Sequence, residues 1–195
     1  MVLAYAILIL IFVALVLRRE LSAIGKLSYR GGWMLPGLVV ALFGLQWAIV
    51  VANLGQAGLQ IATLILSQIA LIILLLWNYH LPGAKLFALG VALNVIVIIA
   101  NGGWMPLTQE TYHYIYPDRT IEIGARMPNS KSIILPQEET TLWVLSDIIR
   151  VAVPWRRWAV SIGDLLIVVA VAQFIFQTSS RKEKKGSDIV GQIIV

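Results

Sequence analysis

The sequence predicts an all-α polytopic membrane protein: five transmembrane helices with a small extracytoplasmic cap between the fourth and the fifth. Three observations carry this reading. The chain is 59% hydrophobic and 13% charged with a mean hydropathy of +0.84, whereas charged residues make up roughly a quarter of a soluble domain. The apolar residues fall in long runs divided by turn residues or basic clusters. One polar interval interrupts them, opening with Asn101-Gly102-Gly103-Trp104-Met105-Pro106 and closing with Ser161-Ile162-Gly163-Asp164. Both of its ends carry helix-boundary chemistry.

A single membrane domain covers residues 1–195, with expected spans at about 1–17, 33–54, 59–77, 85–100 and 162–178. The first run ends at Arg18-Arg19-Glu20 and has neither the charged start nor the small-residue cleavage site of a signal peptide, so it is read as a retained span. Gly31-Gly32 and Trp33 form a turn and an interfacial anchor before the second span, which places Pro36 in its first turn, where a missing amide donor costs little. Residues 53–58 form an uncharged turn, so the third span returns antiparallel to the second. Asn78-Tyr79-His80-Leu81-Pro82-Gly83 turns the chain again into the fourth span. After the insertion at 101–161 comes the fifth, and then a cytoplasmic tail at 179–195.

Lysine and arginine near span ends set orientation. The first loop holds Arg18, Arg19, Lys26 and Arg30, the third holds Lys85, and the tail holds Arg181, Lys182, Lys184 and Lys185, while the second loop holds none. These positions place the N-terminus and the insertion outside and the C-terminus in the cytoplasm, where the four basic tail residues meet anionic lipid. Trp155-Arg156-Arg157-Trp158 is the discord, because it is basic and next to the fifth span on the outer side. Within the spans, Gly37 and Ala41, Ala48 and Ala52, and Ala88 and Ala92 are spaced for close helix contact or homo-oligomerisation.

Inside the insertion, Tyr112, His113, Tyr114 and Tyr116 read as an anchor at the headgroups. Arg119 to Ile123 alternates like a strand, and Ser132 to Leu135 is its expected hairpin partner. Pro136 is expected to start an amphipathic helix that ends before Pro154, with Leu142, Leu145, Ile149 and Ala152 at helical spacing.

The candidate site residues are Asn101, Asp147 and Asp164, which would converge near the outer mouth if the protein handles a ligand. Each has a structural reading beside the functional one. Asn101 with Gly102 and Gly103 is a good helix stop. Asp164 lies three residues after Ser161, which is capping-box spacing, although an ionisable group at a span edge is also a functional candidate. Asn94, Gln46, Gln68 and Gln173 are expected to hydrogen-bond between helices.

With no cysteine the chain has no thiol nucleophile or thiolate metal site. The net charge of +5 is clustered beside apolar runs, which is topology information and not a nucleic-acid footprint. His80 and His113 fall on opposite sides of the predicted membrane, which excludes a two-histidine metal site. Asp118, Glu122, Asp147 and Asp164 could furnish a carboxylate pair or divalent-ion site outside, but acidic residues on a solvated surface are commonplace, and no metal or cofactor is expected.

The Asn101-Gly102-Gly103-Trp104-Met105-Pro106 motif, the Leu142 to Asp147 L-x-x-L-x-D pattern and the Ser161-Ile162-Gly163-Asp164 motif, in this order, resemble a family of bacterial multipass membrane proteins of unknown function. The resemblance covers most of the chain and implies a bacterial plasma-membrane location without implying an activity. The basic tail departs from the family pattern. The expected function is that of a non-enzymatic scaffold or accessory subunit of a membrane complex. The alternative is a membrane enzyme or transporter for a lipid-like or small apolar molecule at the outer face.

Overall fold

The computed structural model describes residues 2–52, 57–120, 122–127, 130–153 and 156–179. The turn after Ala52, the Pro154-Trp155 step, the basic tail with Arg181, Lys182, Lys184 and Lys185, and the apolar C-terminus lie outside the described residues. In chain order the elements are α1 (Val2–Val16), α2 (Met34–Ala52), α3 (Ala57–Trp77), α4 (Ala84–Ala100), β1 (Met105–Leu107), α5 (Gln109–Ile115), β2 (Ser132–Ile134), β3 (Ile149–Val153), β4 (Arg156–Val160) and α6 (Ile162–Thr178). Helices α1, α2, α3, α4 and α6 make a helical body, and the segment between α4 and α6 folds over one end of it.

This corrects the expectation of five transmembrane helices in an all-α fold. Among the described residues one helix, Gly58–Trp77, is long and apolar enough to cross a membrane. Leu3–Val16, Ala84–Ala100 and Ile162–Thr178 are apolar helices of 10–17 residues, and Gly37–Ala48 is an apolar stretch within the 19-residue α2. The apolar runs locate the helices closely, but α1, α4 and α6 have only 15, 17 and 17 residues. Arg18 takes a positive φ of 54° just beyond α1, and α4 ends at Asn101. A helix of 17 residues rises about 25 Å, against a hydrocarbon core of roughly 30 Å.

The second correction concerns the insertion, which contains two small sheets. Strands β1 and β2 pair in parallel, with Met105 opposite Ser132 and Leu107 opposite Ile134. The expected ribbon of 119–123 with 132–135 is shifted: the chain turns back on 124–127 instead, where the Gly124 amide donates to the Ile134 carbonyl at 2.8 Å and the Met127 amide to the Ser132 carbonyl at 3.0 Å. Ile121 is outside the described residues.

The helix expected after Pro136 is replaced by two short 3-10 turns, Gln137–Glu139 and Trp143–Leu145, and by the β3–β4 hairpin. Leu142, at φ 56°, sits in the left-handed region and interrupts any helix there. Beyond it, Ile149, Val151 and Val153 repeat with period two, and such β-branched side chains suit a pleated strand once β4 supplies a partner.

The core lies in three places. Leu71, Val91, Val95 and Ile167 pack the centre of the helical body. Leu107, Tyr112, Met127 and Ile134 form a separate core inside the cap. Val97, Ile98 and Met105 join the two, with Ile65 and Leu145 against them. The most extensive helix contact is α4 on α6, and it is close because of two glycines. A Cβ built on Gly90 would meet the Gly163 carbonyl oxygen at 2.6 Å, and one on Gly163 would meet the Gly90 carbonyl oxygen at the same distance. The small-residue pairs on α2 serve no such contact: Gly37 faces open space, and Ala41 and Ala48 are exposed. Ala88 on α4, by contrast, is buried.

The two ends of the body differ. At one end the Arg30 amide donates to Asn78 Oδ1 at 2.8 Å, His80 Nε2 lies 3.0 Å from the Ser28 carbonyl, and Arg19 donates to the Ser179 carbonyl at 2.8 Å. At the other, Arg126 of the cap donates to Gln60 Oε1 at 2.9 Å near the start of α3. There Trp158 of β4 also stacks on Tyr5 of α1 at 5.5 Å.

Candidate functional site

Where the cap meets the α4–α6 seam, the sequence brings together a set of buried polar groups. Ser161 precedes α6 and accepts a hydrogen bond from the Asp164 amide at 3.0 Å, while the Asp164 carboxylate faces the Ser161 amide at 3.5 Å. This is the expected capping box. The same two residues reach across the seam. Asn94 Nδ2 donates to Asp164 Oδ1 at 2.9 Å, and the Ser161 hydroxyl donates to Asn94 Oδ1 at 2.8 Å. Four hydrogen bonds therefore close a ring of three side chains, all of them buried. The narrow Gly90–Gly163 crossing allows this, since a larger residue at 163 would collide with the Asn94 side chain.

Asp147 lies beside this ring and belongs to the cap. Its amide donates to the Pro106 carbonyl at 3.3 Å, and its Oδ2 accepts from the Ser132 hydroxyl at 3.3 Å, itself held by Ser130 at 3.0 Å. Asp147 is 7% exposed, and its Oδ1 is buried with no hydrogen-bond partner among the described residues. Burial raises its pKa from 3.8 to about 7, and the Asp164 carboxylate adds to the rise, while Lys131 and the Ser132 hydrogen bond oppose it. At neutral pH this carboxyl is therefore poised between its two protonation states.

Asn101 is elsewhere. Its side chain donates to the Val97 and Thr141 carbonyls, each at 2.8 Å, and accepts from the Thr141 amide at 2.9 Å. It ends α4 and ties the cap to it, followed by Gly102 and Gly103 at positive φ. Of the three candidates, Asp147 and Asp164 are thus brought together and Asn101 is not. Among the described residues no hydrogen bond joins any two of the three. An open cleft of about 440 Å³ lies in the cap between Glu110, Gln137, Trp143 and Arg150, and none of them borders it. Among the described residues no three His, Asp or Glu side chains gather in a way that could hold a metal ion.

Sequence reasoning found Asn94 only as an amide needing a partner and missed that the partner is Asp164. Gln46, read in the same way, has a buried Nε2 without an acceptor. Arg126 gave no signal, although its guanidinium lies 3.7 Å over the Trp104 ring and bonds Gln60, 66 residues away. Burial lowers its pKa, but a guanidinium keeps its charge.

A protein of Thermotoga maritima described as uncharacterized is 33% identical over 112 residues, which is 57% of this chain and 60% of that relative. The chain thus matches less than two thirds of the relative's length. No solved structure matches the chain. The family of unknown function DUF5317 matches residues 26–176, from the first loop through nearly all of α6 and including every residue of the buried polar set. The chain therefore belongs to that family of unknown function.

Proposed function

We propose that the chain is an integral protein of a bacterial plasma membrane that acts as a non-enzymatic scaffold or accessory subunit. In this reading the chain is anchored in lipid through Gly58–Trp77, the described helix long enough to cross it, and its cap faces outward. The observation that supports the membrane placement is the outer surface of the body, where Met34 is 82% exposed, Val40 71%, Phe12 66% and Leu66 65%. Soluble monomers rarely leave apolar patches larger than a few hundred Å² open to water. The basic first loop then lies on the cytoplasmic side together with the C-terminus, and the N-terminus lies outside with the cap.

The scaffold reading is supported by how the polar groups are used. Asp164 and Ser161 are bonded within a helix cap and to Asn94, and Asn101 is bonded to Val97 and Thr141, so these groups hold the architecture. Native mass spectrometry after purification in mild detergent tests this. A defined complex of fixed stoichiometry is expected, and a strictly monomeric preparation refutes it.

One observation favours a second reading, a membrane enzyme or carrier acting at the outer face. Asp147 holds a buried, unpartnered carboxylate oxygen and a pKa near 7, which suits a group that binds and releases a proton. Under that reading Asp147→Asn fails to rescue the phenotype of the deletion strain, which Asp147→Glu rescues. Equal complementation by both removes the support.

A further inference from the structure

The basic cluster of β4 is unexplained by capping, by core packing or by the sidedness of the other loops. Basic residues beside a membrane-embedded helix are disfavoured on the outer side, yet Arg156 and Arg157 stand there, both exposed, a few residues before α6 begins. Among the described residues neither has a carboxylate within ion-pairing distance, whereas nearby Arg150 is paired with Glu110 at 3.1 Å.

The local geometry aims both side chains. Arg157 pairs across the hairpin with Ala152, on the same face as Arg150. Its guanidinium lies 5.3 Å from the Tyr114 ring, and one of its nitrogens donates to the Tyr114 carbonyl at 3.3 Å. A guanidinium has five N–H donors, so most remain unused. Arg156 points to the other face of the hairpin and lies 5.9 Å from the Trp158 ring. Trp158 in turn stacks on Tyr5 in the first turns of α1. That contact sets the height of the cluster, level with the end of an apolar helix, where Trp and Tyr favour the headgroup zone. Two guanidinium groups with free donors, supported on aromatic rings at that level, match phosphate in charge and in hydrogen-bonding geometry.

We infer that the β4 edge of the cap is a docking surface for anionic phospholipid headgroups of the leaflet on which the cap rests, with Arg156 and Arg157 as the phosphate-binding groups. The lipid neutralises the charge that the outer side would otherwise disfavour, and it fixes the hairpin against the membrane. This inference rests on the membrane placement proposed above.

The test uses the full chain in nanodiscs of phosphatidylcholine with or without phosphatidylglycerol, reading retained lipid by native mass spectrometry and unfolding temperature in parallel. Phosphatidylglycerol is expected to be retained preferentially and to raise the unfolding temperature, and the preference is expected to fall roughly tenfold in the double variant Arg156→Ala, Arg157→Ala. The double variant to Lys, which keeps the charge, retains most of the preference and controls for misfolding. Neutralising Arg181, Lys182, Lys184 and Lys185 to Gln leaves the difference between wild type and the Ala variant intact, which separates this surface from the tail. Equal retention of both lipids by wild type overturns the inference, as does an unchanged preference in the Ala variant. So does protection of the hairpin by soluble polyphosphate but not by lipid. Extraction of the protein from cell membranes by alkaline carbonate would instead overturn the membrane placement itself, and that result is read independently of lipid preference.

Discussion

The α4–α6 seam and the cap that sits on it are built on opposite principles. In the seam, two glycines bring the backbones together and three side chains satisfy one another, with both carbonyl and amide of Asn94 engaged. In the cap, two-stranded sheets too small to stand alone are held by a short apolar core and a few long-range bonds. A carboxylate oxygen is left buried without a partner there. The difference teaches where stability is concentrated and where chemistry remains available. A site whose groups are all engaged fixes a fold, while a site with an unengaged titratable group responds to its surroundings.

The largest effect that would break this comparison is at the crossing itself. Gly163→Val places side-chain atoms where the Gly90 carbonyl and Asn94 already are, and should cost about 3 kcal/mol or more, with little folded protein recovered from detergent. Wild-type yield and unfolding temperature in this variant would show that the close glycine crossing does not hold α4 and α6 together. Next in size, Asn94→Leu leaves Asp164 Oδ1 without its donor and the Ser161 hydroxyl, which still accepts from the Asp164 amide, without an acceptor, for an expected loss of about 2–4 kcal/mol by chemical unfolding.

A third variant sharpens the contrast in the cap. The folded-state pKa of Asp147 lies above its ordinary 3.8, so the folded chain holds a proton that the unfolded chain releases. The stability it contributes is therefore greatest below about pH 4 and is lost as pH rises to about 7. Unfolding temperatures from pH 4 to 8 should fall over this window in wild type and stay flatter in Asp147→Asn, which should be the more stable of the two at pH 8. Parallel curves would count against the assignment. The smallest effect is expected at the Arg150–Glu110 pair, whose side chains are 42% and 87% exposed. Arg150→Ala should change stability by less than about 0.5 kcal/mol, and a larger loss would show that the hairpin is tied to α5 more tightly than its exposure implies.

The local chemistry was legible in the sequence where one short segment decides it. Asn101-Gly102-Gly103 ends a helix and Ser161 with Asp164 starts one, because the groups that meet are within three residues of each other. What depended on distant partners was not legible. Helical spacing of Leu142, Leu145, Ile149 and Ala152 coexists with the period-two pattern of Ile149, Val151 and Val153, and only the pairing with β4 decides between them. Hydropathy could not count membrane-crossing helices either: it located the helices, but those of 15–17 residues rise less than the roughly 30 Å of a hydrocarbon core. Asp147 entered as a candidate site residue inside an expected helix. Its burial arises from Pro106 and Ser132, 41 and 15 residues away in the chain, which no local pattern joins.

The double use of Ser161 has a consequence for assembly. The hydroxyl that marks the first turn of α6 is the same one that holds α4, so the helix gains its starting point and its neighbour in a single event. Synthesis delivers α4 some sixty residues ahead of α6. During that interval Asn94 has no mate, and the newborn chain must shelter that amide until its tail end emerges.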